Sequence, residues 1–261
     1  MVACASAQAQ ARPPLPGPGV APPGANDPSC RSVHPPVVLL HGTRSDMTIN
    51  FQTLSRALRR DGLCPWALDL PDRAQAPVHE SARAVARFVE RVRAESGARR
   101  VSLVGHSSGG VIGRTYVRFH DGAGRVEDLV SFGTPQYGYR SEPPFDEVDR
   151  LYNTGCPGCD EQFAGHPFMA ALNEGDPTPG RISYTQLITL QDAVATPVAN
   201  QFLPEDVRVS NVVLDEVCPG RPYDHLLLAI DATVYQLVRA ALTGDGPARP
   251  GVPVDCSAVG S

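Results

Sequence analysis

The pentapeptide Gly105-His106-Ser107-Ser108-Gly109 follows the apolar run Val101 to Val104 and precedes a helix-like stretch from Gly110 onward. An extended run ending in this string predicts a sharp strand-to-helix turn with Ser107 at its apex. Strained backbone angles and the crowding of strand against helix call for glycine on either side of such a turn. The serine is then lifted clear of the sheet, placed for attack on an acyl carbon. The string alone is weak, because Gly and Ser are common residues, so its flanks and its partners downstream carry the argument.

Short β-branched or apolar runs at 37–40, 66–70, 101–104, 129–132, 182–190 and 207–214 read as buried strands. Between them lie helical spacings: Phe51, Leu54 and Leu58 recur by three and four, as do Val85, Phe88, Val89 and Val92. The alternation predicts an α/β fold with a mostly parallel central sheet, helices on both faces, and ligands at the carboxyl ends of the strands. Both His41-Gly42 and the Ser107 turn fall at such ends. The stretch 133–166 breaks the rhythm with Pro, Gly and the aromatics Tyr137, Tyr139, Phe145, Tyr152 and Phe163. A loop this long inside a domain predicts an insertion over the site, walling a pocket and acting as a lid; a satellite core stapled by Cys156 and Cys159 is a compatible alternative.

A serine hydroxyl needs an imidazole to take its proton and a carboxylate to orient that imidazole. In the chain order nucleophile, acid, histidine, the base follows the last strand, and His225 is the one histidine beyond 207–214. It precedes a run, Leu226, Leu227, Leu228, Ile230 and Val234, that reads as an apolar helix. The acid is sought after the run 182–190, where Asp192 lies; Asp206, Asp215 and Asp224 are its rivals. The oxyanion formed in acyl transfer needs donors, for which the backbone N–H groups of Ser108 and of Thr43, in the first loop His41-Gly42-Thr43, are the candidates. His41 and His106 read as packing and hydrogen-bonding supports.

The net charge of −5 argues against a nucleic-acid partner, and no apolar run approaches the roughly 20 residues that span a bilayer. Residues 1–29 are rich in Ala, Gln, Pro and Gly and predict a disordered tail or the remnant of a signal peptide, with A-x-A strings at Ala5 to Ala11 but no charged or apolar segment before them. Residues 30–261 are expected to form a single domain acting as a monomer. Apart from Cys4, the cysteines form an even set, Cys30, Cys64, Cys156, Cys159, Cys218 and Cys256, as expected of disulfides in a secreted protein; chain order suggests pairing them consecutively. Cys156-Pro157-Gly158-Cys159 has neither a second ligand pair for zinc nor the strand–helix setting of a redox motif, which favours a small structural disulfide.

Taken together, residues 36–43, 104–110, the Cys156 to Cys159 motif, the turn from Asn173 to Gly180, residues 192–197 and Asp224-His225 resemble the secreted bacterial lipases of the α/β-hydrolase superfamily, especially the actinobacterial triacylglycerol lipases. The resemblance runs from about Cys30 to Ala241. It implies Ser107 as nucleophile, Asp192 as acid, His225 as base, Thr43 and Ser108 as oxyanion donors, and hydrolysis of lipid esters without an organic cofactor or a catalytic metal. Ser108, where such lipases often carry Gln or Met, and Arg44, where they often carry an aromatic, depart from the pattern at the mouth of the pocket.

Overall fold

In the computed structural model, which describes residues 19–140 and 153–258, six strands form one parallel sheet in the order β2-β1-β3-β4-β5-β6. The elements follow one another as β1 (Val37–Leu40), α1 (Met47–Arg60), β2 (Pro65–Ala67), α2 (Val78–Ser96), β3 (Val101–His106), α3 (Ser108–Phe119), β4 (Val126–Phe132), α4 (Pro157–Glu161), α5 (Pro167–Asn173), β5 (Ser183–Ile188), β6 (Val209–Val213), α6 (Leu214–Val217) and α7 (Ala232–Thr243). The strands are buried along nearly their whole length because both faces are covered, and β1 and β2 carry no polar side chain. In β1, Val37 and Leu39 face the core shared with α1 and α7, whereas Val38 and Leu40 face the core shared with α2 and α3. The chain leaves β1 toward β2 and leaves β3 toward β4. The order therefore reverses between β1 and β3, and their carboxyl ends open a crevice at that switch point.

Helix boundaries follow from local chemistry. Asp46 caps α1, its carboxylate accepting from the N–H of Thr48 at 3.0 Å and Ile49 at 2.8 Å. Gly97 ends α2 with φ 75°, a left-handed cap. The strand expected over 66–70 stops at Ala67; beyond it Leu70 N–H donates to His41 Nε2 at 2.9 Å, and the Asp69 carboxylate turns to the start of α1 and accepts from Met47 N–H at 2.8 Å. The apolar helix expected after His225 is two elements. A 3-10 segment, His225–Ile230, ends at Asp231, whose carboxylate accepts from the N–H groups of Thr233 and Val234 and starts α7 afresh.

Residues 19–28, read from composition as part of a tail, are seated on the domain. Asn26 closes the outer edge of β2, donating through Nδ2 to Ala67 O at 2.9 Å and accepting from Ala67 N–H at 2.8 Å. That edge strand would otherwise offer unpaired backbone to another chain. Disulfides join Cys30 to Cys64, Cys156 to Cys159 and Cys218 to Cys256, the pairs that chain order suggests. Of the stretch 133–166, residues 141–152, with Phe145 and Tyr152, lie outside the described residues. No helix among the described residues is long and apolar enough to cross a membrane.

Asp128, on β4, is buried and accepts from Ser102 Oγ at 2.7 Å. Burial pushes its carboxyl up to about 6, with the Ser102 hydrogen bond pulling the other way. Between pH 3.8 and about 6 the folded protein therefore holds a proton that the unfolded chain has released, and stability falls as pH rises through that window. Asp128→Asn removes the dependence. Urea unfolding at pH 8 is expected to show the variant more stable by up to about 3 kcal/mol, with the difference gone near pH 4; a difference independent of pH would refute this cause.

Candidate active site

Ser107 joins β3 to α3 with φ 54° and ψ −125°, a conformation side-chain-bearing residues rarely adopt. Its backbone is held from both sides: Ser107 N–H donates to Phe132 O at 2.9 Å, and Ser107 O accepts from Gly110 N–H and from Thr134 Oγ1, each at 3.0 Å. The flanking glycines are required by contact. A Cβ on Gly105 would stand 2.5 Å from Gly110 N, and one on Gly109 would run into the carbonyl oxygen of Leu40. Helix α3 can thus start directly against the end of β1, which brings the first loop to the serine.

His225, the first residue of its 3-10 segment, is 4% exposed and places Nε2 3.1 Å from Ser107 Oγ. Its Nδ1 lies 3.0 and 2.9 Å from the two carboxylate oxygens of Asp192, in the loop after β5. Ser107, His225 and Asp192 therefore form one hydrogen-bonded chain, Ser107 Oγ–H donating to Nε2 and Nδ1–H donating to the carboxylate. Burial alone would raise the Asp192 carboxyl, but hydrogen bonds from His225 and from the N–H groups of Ala195 and Val194 outweigh it and hold the group below the usual carboxylate range. The rival acids are occupied elsewhere. Asp215 accepts from Leu190 N–H and Gln191 Nε2, Asp224 caps the 3-10 segment through Leu226 N–H, and Asp206 accepts from Arg208 N–H.

Thr43 and Ser108 meet across the crevice, their hydroxyl oxygens 2.5 Å apart. Ser108 opens α3, whose first N–H groups have no partner within the helix and carry the positive end of its dipole. His41 Nδ1–H donates to Gly42 O and its Nε2 accepts from Leu70 N–H, each at 2.9 Å, so the neutral ring braces the first loop. His106 is fully enclosed, stacked on Phe132, with Nδ1 3.0 Å from Asn50 Oδ1 and Nε2 3.0 Å from the carbonyl oxygen of His225. Burial, and then the neighbouring His225, drives its pKa down to about 3, and its ring stays neutral.

Ser107, Ser108, Thr43 and His225 line a cavity of about 360 Å³ walled also by Arg44, Tyr139, Cys159, Val194 and Leu226 among others. The described ends of the stretch 133–166 supply Tyr139, Asn153, Cys159 and Gln162. Two large apolar residues of the wall are exposed, Leu226 at 72% and Val194 at 52%, and Leu227 and Ile230, in the same 3-10 segment as Leu226, are 55% and 41% exposed. Among the described residues no group of three or more His, Cys, Asp or Glu side chains is placed to hold a metal ion.

Three supporting residues carry no motif and were not anticipated: Asn50 beside His106, Gln201 on Asp192, and Gly133 under His225. Gly133, at φ 57°, is the clearest in retrospect, because a glycine closing an apolar strand signals a left-handed exit or a close approach. A Cβ there would lie 3.1 Å from Cε1 and Nδ1 of His225. Gly133→Ala is expected to displace the imidazole and lower kcat about 100-fold while the unfolding midpoint shows the protein still folded; an unchanged kcat would mean that the ring is not held there.

A family model for palmitoyl protein thioesterase matches residues 36–188, more than half of the chain. Among solved structures, lipase B of Aspergillus fumigatus is similar at 20% identity with a TM-score of 0.71, over 91% of this chain and 64% of that one. The chain thus spans less than two thirds of that lipase's length. The mature lipase BlEst2 of Bacillus licheniformis is similar at 16% identity and TM-score 0.58, over 81% of this chain and 89% of that one. MGS-MChE2, an alpha/beta hydrolase from a lagoon-sediment metagenome, is similar at 18% identity and TM-score 0.50, over 76% and 85%. The six-stranded parallel sheet is that of the α/β-hydrolase fold, and this chain belongs to the palmitoyl protein thioesterase family.

Proposed function

We propose that the protein hydrolyses esters of long-chain fatty acids through an acyl-enzyme, with Ser107 as nucleophile, His225 as general base and Asp192 as the acid that orients it. The observation that carries this reading is the hydrogen-bonded chain Ser107–His225–Asp192, whose Ser107 and His225 line a cavity beside the exposed apolar side chains Val194 and Leu226. Ser107 Oγ attacks the acyl carbon as His225 Nε2 takes its proton. The tetrahedral oxyanion lies against the N–H groups of Thr43 and Ser108, and collapse expels the alcohol or thiol, which receives the proton from His225. Water enters by the same route and releases the acid. Every step uses backbone donors and the three side chains, without a cofactor.

Acylglycerols and related lipid esters are the substrates proposed first, on the exposed apolar rim residues Val194 and Leu226 at the cavity and Leu227 and Ile230 in the same 3-10 segment as Leu226. Family membership favours a second leaving group, the thiol of an S-acyl protein. The triad treats both alike, since a thiolate leaves more readily than an alkoxide and the acyl-enzyme is the same. The kinship with secreted bacterial lipases is likewise proposed for residues 30–261 acting as one domain. Three disulfides support an oxidising, extracellular setting.

A hydrolysis panel of p-nitrophenyl esters of rising chain length, a triacylglycerol emulsion and a palmitoyl thioester, run beside Ser107→Ala, tests this. The parent is expected to act on the long-chain members and the variant to lose about 10⁴-fold or more; activity in the variant near that of the parent would sink the mechanism, and activity confined to short soluble esters would sink the lipid assignment. The rim is tested separately. Leu226→Ser with Leu227→Ser is expected to cost about tenfold or more in kcat/KM on emulsified long-chain ester and less than about twofold on a soluble short one; equal losses on both would remove the rim from substrate binding.

A further inference from the structure

We propose that Gln201 is a positioning residue for the Asp192–His225 pair, fixing the carboxylate through its amide nitrogen; this rests on the reading of Ser107, His225 and Asp192 as the reacting chain. Gln201 ends the 3-10 segment Val198–Gln201 and is 1% exposed. Its Nε2 donates to Asp192 Oδ2 at 3.0 Å and to the carbonyl oxygen of Ala195 at 3.1 Å. Both partners are acceptors only, so the amide nitrogen must face them and the amide oxygen must face away.

That oxygen, Oε1, is buried and meets no hydrogen-bond donor among the described residues. A buried carbonyl left unpaired costs stability, and a core selected for stability alone would carry an apolar side chain of this size instead. The arrangement makes sense if the nitrogen is what matters. Its place on the carboxylate supports this. Oδ1 of Asp192 accepts from the N–H groups of Val194 and Ala195 as well as from His225, both backbone groups of its own loop. Oδ2 accepts from His225 and, from another part of the chain, Gln201. Gln201 thereby sets the rotation of the carboxylate, and with it the plane in which His225 Nδ1–H is received. Through Ala195 O it also fixes the turn that supplies the Oδ1 donors.

The same hydrogen bond disperses the charge on Asp192. Without it the carboxylate holds an imidazolium at His225 more strongly, and proton transfer to the leaving group is slowed. The other titratable groups at this pair do not replace it. His106, whose ring lies 5.2 Å from that of His225, is turned to Asn50 and the His225 carbonyl; Asp224 is tied to Leu226 N–H, and Asp215 to Leu190 and Gln191.

The test uses Gln201→Met, which keeps the length and removes the donor, and Gln201→Glu, which keeps the shape and adds a second carboxyl. Each is titrated with a serine-reactive phosphonate to count folded sites, and kcat/KM on a soluble ester is followed from pH 4 to 9. Gln201→Met is expected to lose about tenfold in kcat with KM little changed, and to move the acid limb of the profile up by about half a pH unit. Gln201→Glu is expected to move it further, because two ionised carboxylates side by side repel. Should the methionine variant not fold, the isosteric glutamate variant decides the question. A parental acid limb in a folded variant would overturn the proposal, since loss of packing alone lowers activity without shifting the limb. If Ser107→Ala also abolishes activity in that case, the reading of the site survives and only the role of Gln201 fails.

Discussion

The close approach of α3 to the end of β1 is the contact on which the rest of this structure depends. Gly109 lies against the carbonyl oxygens of Leu40 and His41, and Gly105 against the first turn of its own helix, with no room for a side-chain carbon at either place. The approach forces Ser107 into a positive-φ conformation, a strain of about 1–3 kcal/mol that persists only where the surroundings over-determine it. Here they do. Hydrogen bonds from Gly110 and Thr134 hold its carbonyl, Phe132 O holds its N–H, and the cores on the two faces of the sheet hold β1, β3 and α3 as a unit. Because α3 begins at that point, its N–H groups, the Thr43 loop and the serine hydroxyl converge on one small volume.

The other proposed participants arrive from the far half of the sheet, and each is braced by a group unrelated to the chemistry. His225 enters from a segment whose start is capped by Asp224 and whose end is fixed by Asp231, so its backbone position does not depend on the exposed leucines that follow it. Gly133 sets the floor under its ring, and His106 reaches its carbonyl oxygen from the strand that carries Ser107. Asp192 sits in a turn closed on its own carboxylate. A buried network at the opposite side of α3, in which Arg114 meets Gln136 and the carbonyl of Leu172, ties that helix to α5 and to the loop after β4. The two halves of the site meet at two hydrogen bonds, one from His106 to the His225 carbonyl that sets the backbone and one between Ser107 and the His225 ring.

Much of this was legible from order and pattern. The sheet, the turn at Ser107 and the meeting of Ser107, Asp192 and His225 follow from where apolar runs end and which polar residues come next, because strand ends in a parallel sheet share one edge. The supports were not. Gln201 is a lone amide in a loop with no periodicity, and its partner lies nine positions back across a turn that no local rule announces. Asn50 sits on α1 among residues whose spacing reports only which face is buried, not that one of them reaches across to His106. Leu226 and Leu227 mislead for a related reason. Apolar spacing signals a helix with something to bury, but it does not say whether the covering surface belongs to the same chain, and here both remain exposed.

The two neighbouring histidines differ in what their rings face, and in the proposed mechanism only one of them carries protons. Their rings are 5.2 Å apart and both are buried, and a charge on His106 is opposed by loss of water and by the other ring. His106 faces an amide oxygen and a backbone carbonyl, neutral dipoles that do not repay that loss, and its basicity collapses accordingly. His225 faces a carboxylate that several donors keep ionised well into acid. In the proposed mechanism a positive charge formed during acyl transfer therefore has a counter-ion at His225 and none at His106. The neutral ring, in turn, is free to serve as a rigid spacer between the serine's strand and the base. Two buried imidazoles are thereby separated into a support and the proposed base, and what separates them is the Asp192 carboxylate, which the ring of His225 meets and that of His106 does not.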